Sequence, residues 1–239
     1  MNTPAEIVET WIKRLRSAAL PALKGTPIGT DPGNRSRARS CQASGEAWAF
    51  IDGFRDGAGH RRALDRPMLA HVLGCDAGPA PEGLNVEAMA WWGLHDPAAR
   101  ARLGVDMNAA GPLFPRLRDQ GIETRTEAEL SCLHALLWAA LRGRDGALMK
   151  RCFAAARWLV AELQPDNATQ RPWAVQAFVV MACDPSEGDA GRGAADVYAQ
   201  TLLHNAAVGG LDVFSAVILW DSAEWLERSQ WGVASGEWG

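Results

Sequence analysis

Five polar residues recur in one context along the chain. Glu46-Ala-Trp-Ala-Phe-Ile, Glu87-Ala-Met-Ala-Trp-Trp, His134-Ala-Leu-Leu-Trp-Ala, Gln176-Ala-Phe-Val-Val-Met and Ser215-Ala-Val-Ile-Leu-Trp each set a polar side chain before an alanine and an apolar run. Their starts lie roughly 40 residues apart, the period of a two-helix unit. Where such helices pack around one axis, their lead residues can converge. Two carboxylates and an imidazole beside tryptophan suit general acid–base chemistry on a sugar. Glu87 and His134 are therefore the candidate catalytic residues, with Glu46 and Gln176 as candidate ligand-binding neighbours.

Each of these residues also has a plainer reading. His134 falls within the apolar arc of its helix, beside Leu137, Trp138 and Leu141, where a core histidine bonded to a neighbour is equally at home. Gln176 is the one polar side chain on an apolar helix. Burying an unpaired amide costs on the order of a few kcal/mol, so another helix or a ligand must satisfy it. Glu46 and Glu87 fit first-turn positions favoured by the helix dipole, and Asn85 reads as the cap before Glu87. Between two helices, Asp166, Asn167 and Arg171 crowd polar groups just ahead of Trp173. That loop is either a binding rim, with Trp138 and Trp173 as apolar walls, or a set of helix caps. His204 shares a ridge with Asp196 and Gln200 at i, i+4 and i+8, but Thr201 and Asn205 widen the polar arc into a solvated face. No metal site is expected there.

These residues need helices to position them. Thr3, Pro4 and Glu6 form a capping box with proline at the first helical position, and Ile7, Val8, Trp11, Leu15 and Ala18 follow at helical spacing. This N-terminal helix occupies 1–24. A Gly-, Pro- and Arg-rich loop is expected over 25–43, where Arg35, Arg37 and Arg39 read as solvated charge or as contacts for an acidic partner. Helical periodicity fills 44–229, with helices read at 126–142, 146–163, 173–183, 194–208 and 213–228. The 173–183 helix is apolar on nearly every side and should be buried. The tail, 230–239, should fray. Alternating β-branched runs are missing, so the fold class is all-α, a single domain of packed antiparallel helical hairpins.

The alternation of buried and amphipathic helices over 44–229 resembles the α/α-toroid class, which includes many glycosidases, polysaccharide lyases and terpenoid cyclases. The resemblance implies a ring of hairpins with a central cleft; an open α-solenoid is the alternative. The acid clusters of the terpenoid enzymes and the zinc ligands of the protein prenyltransferases have no counterpart in this chain.

Composition narrows the function classes. The 239 residues are 48% hydrophobic and 22% charged with net charge −4, which disfavours nucleic-acid and anionic-membrane partners. Five cysteines without a C-x-x-C pair point to free thiols, and with no signal-peptide pattern a cytoplasmic location is expected. Phosphate-binding loops, nucleotide fingerprints, G-x-S-x-G and H-E-x-x-H are all missing, so no cofactor is expected. Two expectations remain. One is a cleft that binds or processes a carbohydrate-like small molecule; the other is a non-catalytic helical scaffold for a protein partner.

Overall fold

A computed structural model of the chain describes residues 3–29, 45–115, 121–163, 171–208 and 210–234. The Arg35, Arg37 and Arg39 loop lies outside them. Every regular element among the described residues is helical: α1 Pro4–Leu23, α2 Gly45–Gly53, α3 Asp65–Leu73, α4 Val86–Trp92, α5 Pro97–Arg102, α6 Ile122–Gly143, α7 Gly146–Glu162, α8 Val175–Cys183, α9 Gly188–Val208 and α10 Val213–Ala234. A single 3₁₀ turn, Pro185–Glu187, leads into α9.

The capping box at Thr3 forms as read. The Thr3 hydroxyl accepts from the Glu6 N–H at 3.3 Å, and Glu6 accepts from the Thr3 N–H at 2.7 Å. Along α1 the apolar stripe Val8, Trp11, Ile12, Leu15, Ala19 and Leu23 is buried, and the helix packs against α10. First and last helices are thus neighbours. Arg16 pairs with Glu227 across their border at 2.7 Å.

Helices α6, α8 and α10 form the middle of the molecule. Residues 129–140 and 214–226 are buried without a break, so no face of either run reaches water. Fully burying Trp138 or Trp225 contributes roughly 2–3 kcal/mol each. More peripheral helices cover this middle: α7 on α6, α9 on α8, α1 on α10, and α5 on α4. Alanine at the contacts, among them Ala135, Ala139, Ala155, Ala177, Ala199 and Ala216, all buried, lets the rods approach closely.

Several limits differ from those read in the sequence. Helix α8 begins at Val175, two residues after Trp173, because Ala174 adopts a left-handed conformation (φ 54°) that a helix interior excludes. Helix α9 starts at Gly188 despite three early glycines, with Asp189 and Arg192 paired across its first turn. Helix α10 runs on to Ala234, into the stretch expected to fray. The segment before α6 also has a fixed course. Arg151 of α7, 2% exposed, donates to the carbonyls of Asp106, Gly111 and Pro112, and Glu129 of α6 accepts from the N–H groups of Leu113 and Phe114.

Candidate functional site

The polar residues of the middle helices meet at two levels, one sealed and one reaching the surface. The sealed level is built on Asp221 of α10, 1% exposed. Its Oδ2 accepts from Trp138 Nε1 at 2.7 Å and faces His134 Nε2 at 3.0 Å, while Oδ1 faces His71 Nε2 at 3.5 Å. The backbone N–H of Ala174 donates to His134 Nδ1 at 3.1 Å, so the His134 proton sits on Nε2, aimed at the carboxylate. Arg142 approaches His71 Nδ1 and can only donate, which places the His71 proton on Nε2 as well. A neutral His71 imidazole thus stands between the Arg142 guanidinium and the Asp221 carboxylate. Burial holds the His71 pKa down at about 4, against the pull of Asp221. Burial would raise Asp221, but the two imidazoles facing it hold it well below the usual carboxylate range.

This explains why Ala174 is left-handed. Its conformation, which a non-glycine residue adopts at a cost of about 1 kcal/mol, delivers the N–H that orients His134. Trp91 and Trp173 flank the imidazole in tilted and edge contacts, with ring centroids 5.4 Å (Trp91) and 5.8 Å (Trp173) from His134, and Phe214 packs on Trp173 at 5.5 Å. Gln176 lies at the same depth. It is wholly buried and accepts from the Ser222 hydroxyl at 2.9 Å.

The second level lies where the first turns of α3, α4, α8 and α10 and the second turn of α6 meet. Arg62, in the loop before α3, is its hub. Its Nη1 contacts Glu127 of α6 at 2.9 Å and Glu87 of α4 at 4.0 Å, and its guanidinium lies over Phe214 at 4.8 Å and Trp173 at 5.9 Å. Arg171 completes the group. It bonds Asp212 and, at 2.9 Å, Ser215; it reaches Asp56 at 3.5 Å and lies over Phe214 from 5.1 Å. Arg171 holds the Asp212 carboxyl down at about 2, although burial opposes this. Burial raises Glu87 and Asp65 from their ordinary values, against the nearby Arg62.

Four buried polar atoms of this level, Arg62 Nη2, Asp65 Oδ1, Glu87 Oε1 and Trp173 Nε1, have no hydrogen-bond partner among the described residues. The two levels are joined. Trp91, packed on His134, donates from Nε1 to the Ser131 hydroxyl at 3.0 Å, and the same hydroxyl favours the ionised form of Glu87 against its burial.

The sequence candidates divide accordingly. Glu87, Arg171 and Trp173 come together at the upper level. His134, Trp138 and Gln176 lie sealed below it, the first two bonded to Asp221 and Gln176 to Ser222 through its Oε1, its Nε2 having no hydrogen-bond partner among the described residues. Glu46 is exposed in the first turn of α2, and His204 is exposed on α9. Asp166 and Asn167 lie outside the described residues. Arg62, His71 and Asp221 were not singled out from the sequence. Asp221 alone left a trace there, as the first acid after a long apolar run in the last helix. No set of three His, Cys, Asp or Glu side chains among the described residues is arranged to hold a metal ion, and no described helix is long and apolar enough to cross a membrane. A separate groove of about 380 Å³ lies between α5 and the α6–α7 junction, lined by Leu103, Met107, Leu136 and Leu148 among others. The chain matches no protein-family model, no curated protein and no solved structure.

Proposed function

We propose that this protein binds a carbohydrate-like small molecule at the face where Arg62, Glu87, Glu127 and Trp173 meet. The observation that carries the reading is the cluster of four buried polar atoms there without hydrogen-bond partners among the described residues. Buried donors and acceptors cost about 1–3 kcal/mol each when left unmade, and a ring of them beside aromatic side chains is the composition of a site for a hydroxyl-rich ligand. Arg62, Glu87 and Glu127 keep 30%, 16% and 29% of their side chains exposed, so the residues around the four buried atoms reach the surface. In this reading the helices form a toroid-like ring, with α4, α6, α8 and α10 inside and their N-terminal ends at the binding face. The packing of α1 on α10 supports closure.

The test is a thermal-shift screen of the full chain against neutral sugars, anions and cations, with native mass spectrometry for a co-purifying ligand. A neutral sugar at one hundred times its Kd stabilises the fold by about 3 kcal/mol. If charged compounds alone shift the transition, or nothing does, the reading falls.

A second reading, a helical scaffold for a protein partner, draws on one observation: His134 is completely buried with both ring nitrogens engaged. It is favoured if no small molecule binds and a partner is captured whose association survives substitution of Glu87.

A further inference from the structure

We infer that residues 67–77, most of α3 and the turn after it, form an acid-released latch, held in place by two imidazoles that hold it only while neutral. His71, in the last turn of α3, is the first. It is 3% exposed and stands between two other helices, with Nδ1 toward Arg142 of α6 and Nε2 3.5 Å from the Asp221 carboxylate of α10. A guanidinium only donates, so the Arg142 contact requires an unprotonated Nδ1. His95, in the turn after α4, is the second. Its Nε2 donates to the Pro67 carbonyl at 2.8 Å, and its Nδ1 accepts the Ala77 N–H at 3.4 Å. One ring thereby pins both ends of the segment, and its Nδ1 carries the same requirement.

Protonation turns each acceptor into a donor. At His71 it sets a cationic N–H against the guanidinium of Arg142, a residue that reaches the surface and has water to move into. At His95 it leaves the Ala77 N–H facing another donor. The surroundings keep both rings neutral above the acid range. Burial disfavours charge on each, Arg142 adds to it at both and His95 at His71, against the pull of Asp221 on His71 and of Asp76 on His95. Of the other charged groups at the segment, Arg66 pairs with Asp52 of α2 at 2.9 Å. Asp65, near Arg62, Asp56 and Glu87, is raised by burial and offsets part of the effect. His134 shares Asp221 with His71, but its other nitrogen holds Ala174, ahead of α8, and not α3. The Asp65 carboxylate binds the Arg62 N–H at 2.7 Å, so release of α3 also unseats the hub of the upper level.

The experiment is hydrogen exchange of the full chain at pH 7 and pH 4.5, read by mass spectrometry and corrected for the intrinsic pH dependence of exchange. A released His71 regains its ordinary pKa of 6.5, so opening of the segment should become roughly 50-fold more frequent at pH 4.5, and at least about tenfold after the Asp65 offset. Amides of 68–77 should then exchange through an opening that leaves α8 and α10 protected. Unchanged protection of the segment overturns the inference. So does loss of protection in α10 to the same level, because the whole fold and not the latch is then opening. A double variant, His71→Gln with His95→Gln, takes up no proton at either place, and its segment should show the same protection at both pH values. A pH dependence that persists there counts against the latch. Imidazole nitrogen NMR of the unaltered protein decides even where the variant fails to fold. Both rings should carry their proton on Nε2 at pH 7 and titrate below 6.5; a proton on Nδ1, or titration at or above 6.5, overturns the inference.

Discussion

At the scale of single residues, His134 is a histidine whose two ring nitrogens are both engaged. Its Nδ1 accepts from Ala174 and its Nε2 faces Asp221. Replacing it with alanine leaves a buried carboxylate short of a donor and a buried N–H without an acceptor. We expect His134→Ala to lower unfolding free energy by about 3–5 kcal/mol, read by chemical denaturation. A loss below about 1 kcal/mol would show that the network is not structural. His71 makes a pH prediction. Its folded pKa, about 4, lies below the ordinary 6.5, so the unfolded chain binds the extra proton between those values. Stability should be intact above pH 6.5 and fall progressively to pH 4, by roughly 3 kcal/mol from this group. Glu87 and Asp65, shifted upward by burial, act in the opposite sense just above the ordinary carboxylate range and offset part of the loss. Melting temperature against pH measures the sum, and a flat profile from pH 7 to 4.5 would contradict the assignment. His134 was legible as a buried polar position, since its place in an apolar arc is a local property. Its partner was not: Asp221 is 87 residues away, and helical spacing says nothing about which rods touch.

At the scale of elements, the caps read from the sequence, Thr3 and Asn85, form because they are local, each accepting a backbone N–H three residues on. Asp145 caps α7 in the same way. Helix α6 ends at Arg144 in a left-handed conformation (φ 49°), with an exposed side chain. Glycine adopts that conformation without strain, so Arg144→Gly should raise stability by about 0.5–1 kcal/mol, visible as a higher Tm. A drop in Tm would mean the arginine makes a contact that outweighs the strain. The segment over 105–115 depends on the opposite kind of information. It carries no periodicity, and its course follows from Arg151 and Glu129 binding its backbone. Arg151→Met should therefore leave three carbonyls unmet and make the segment a site of rapid proteolysis while the remaining helices stay protected, as hydrogen exchange would report.

At the scale of the whole molecule, α10 is the helix against which the fold is assembled. It supplies Asp221 and Ser222 to the sealed level and Phe214 and Ser215 to the upper one, and it receives α1 along its length. A chain beginning at residue 25 loses the buried stripe of Trp11, Ile12, Leu15 and Leu23 and exposes the side of α10 that α1 covers. We expect it to bind a hydrophobic dye and lose cooperative unfolding, and to release the dye and regain cooperativity when the α1 peptide is added. Cooperative folding of the shortened chain alone would show that α1 is dispensable to the core.

What the sequence determined by itself was local: the helical class, the caps of the first helices, the buried middle rods, and Glu87 and Trp173 as polar and aromatic groups at helix starts. Those follow from spacing and propensity, which act within a few residues. Tertiary structure alone decided which charges stand together. In the linear chain Arg62, Glu127 and Asp221 look like ordinary surface or helix residues. They acquired their roles when helices distant in sequence were packed tightly enough that a buried carboxylate needed two imidazoles and a guanidinium needed two carboxylates.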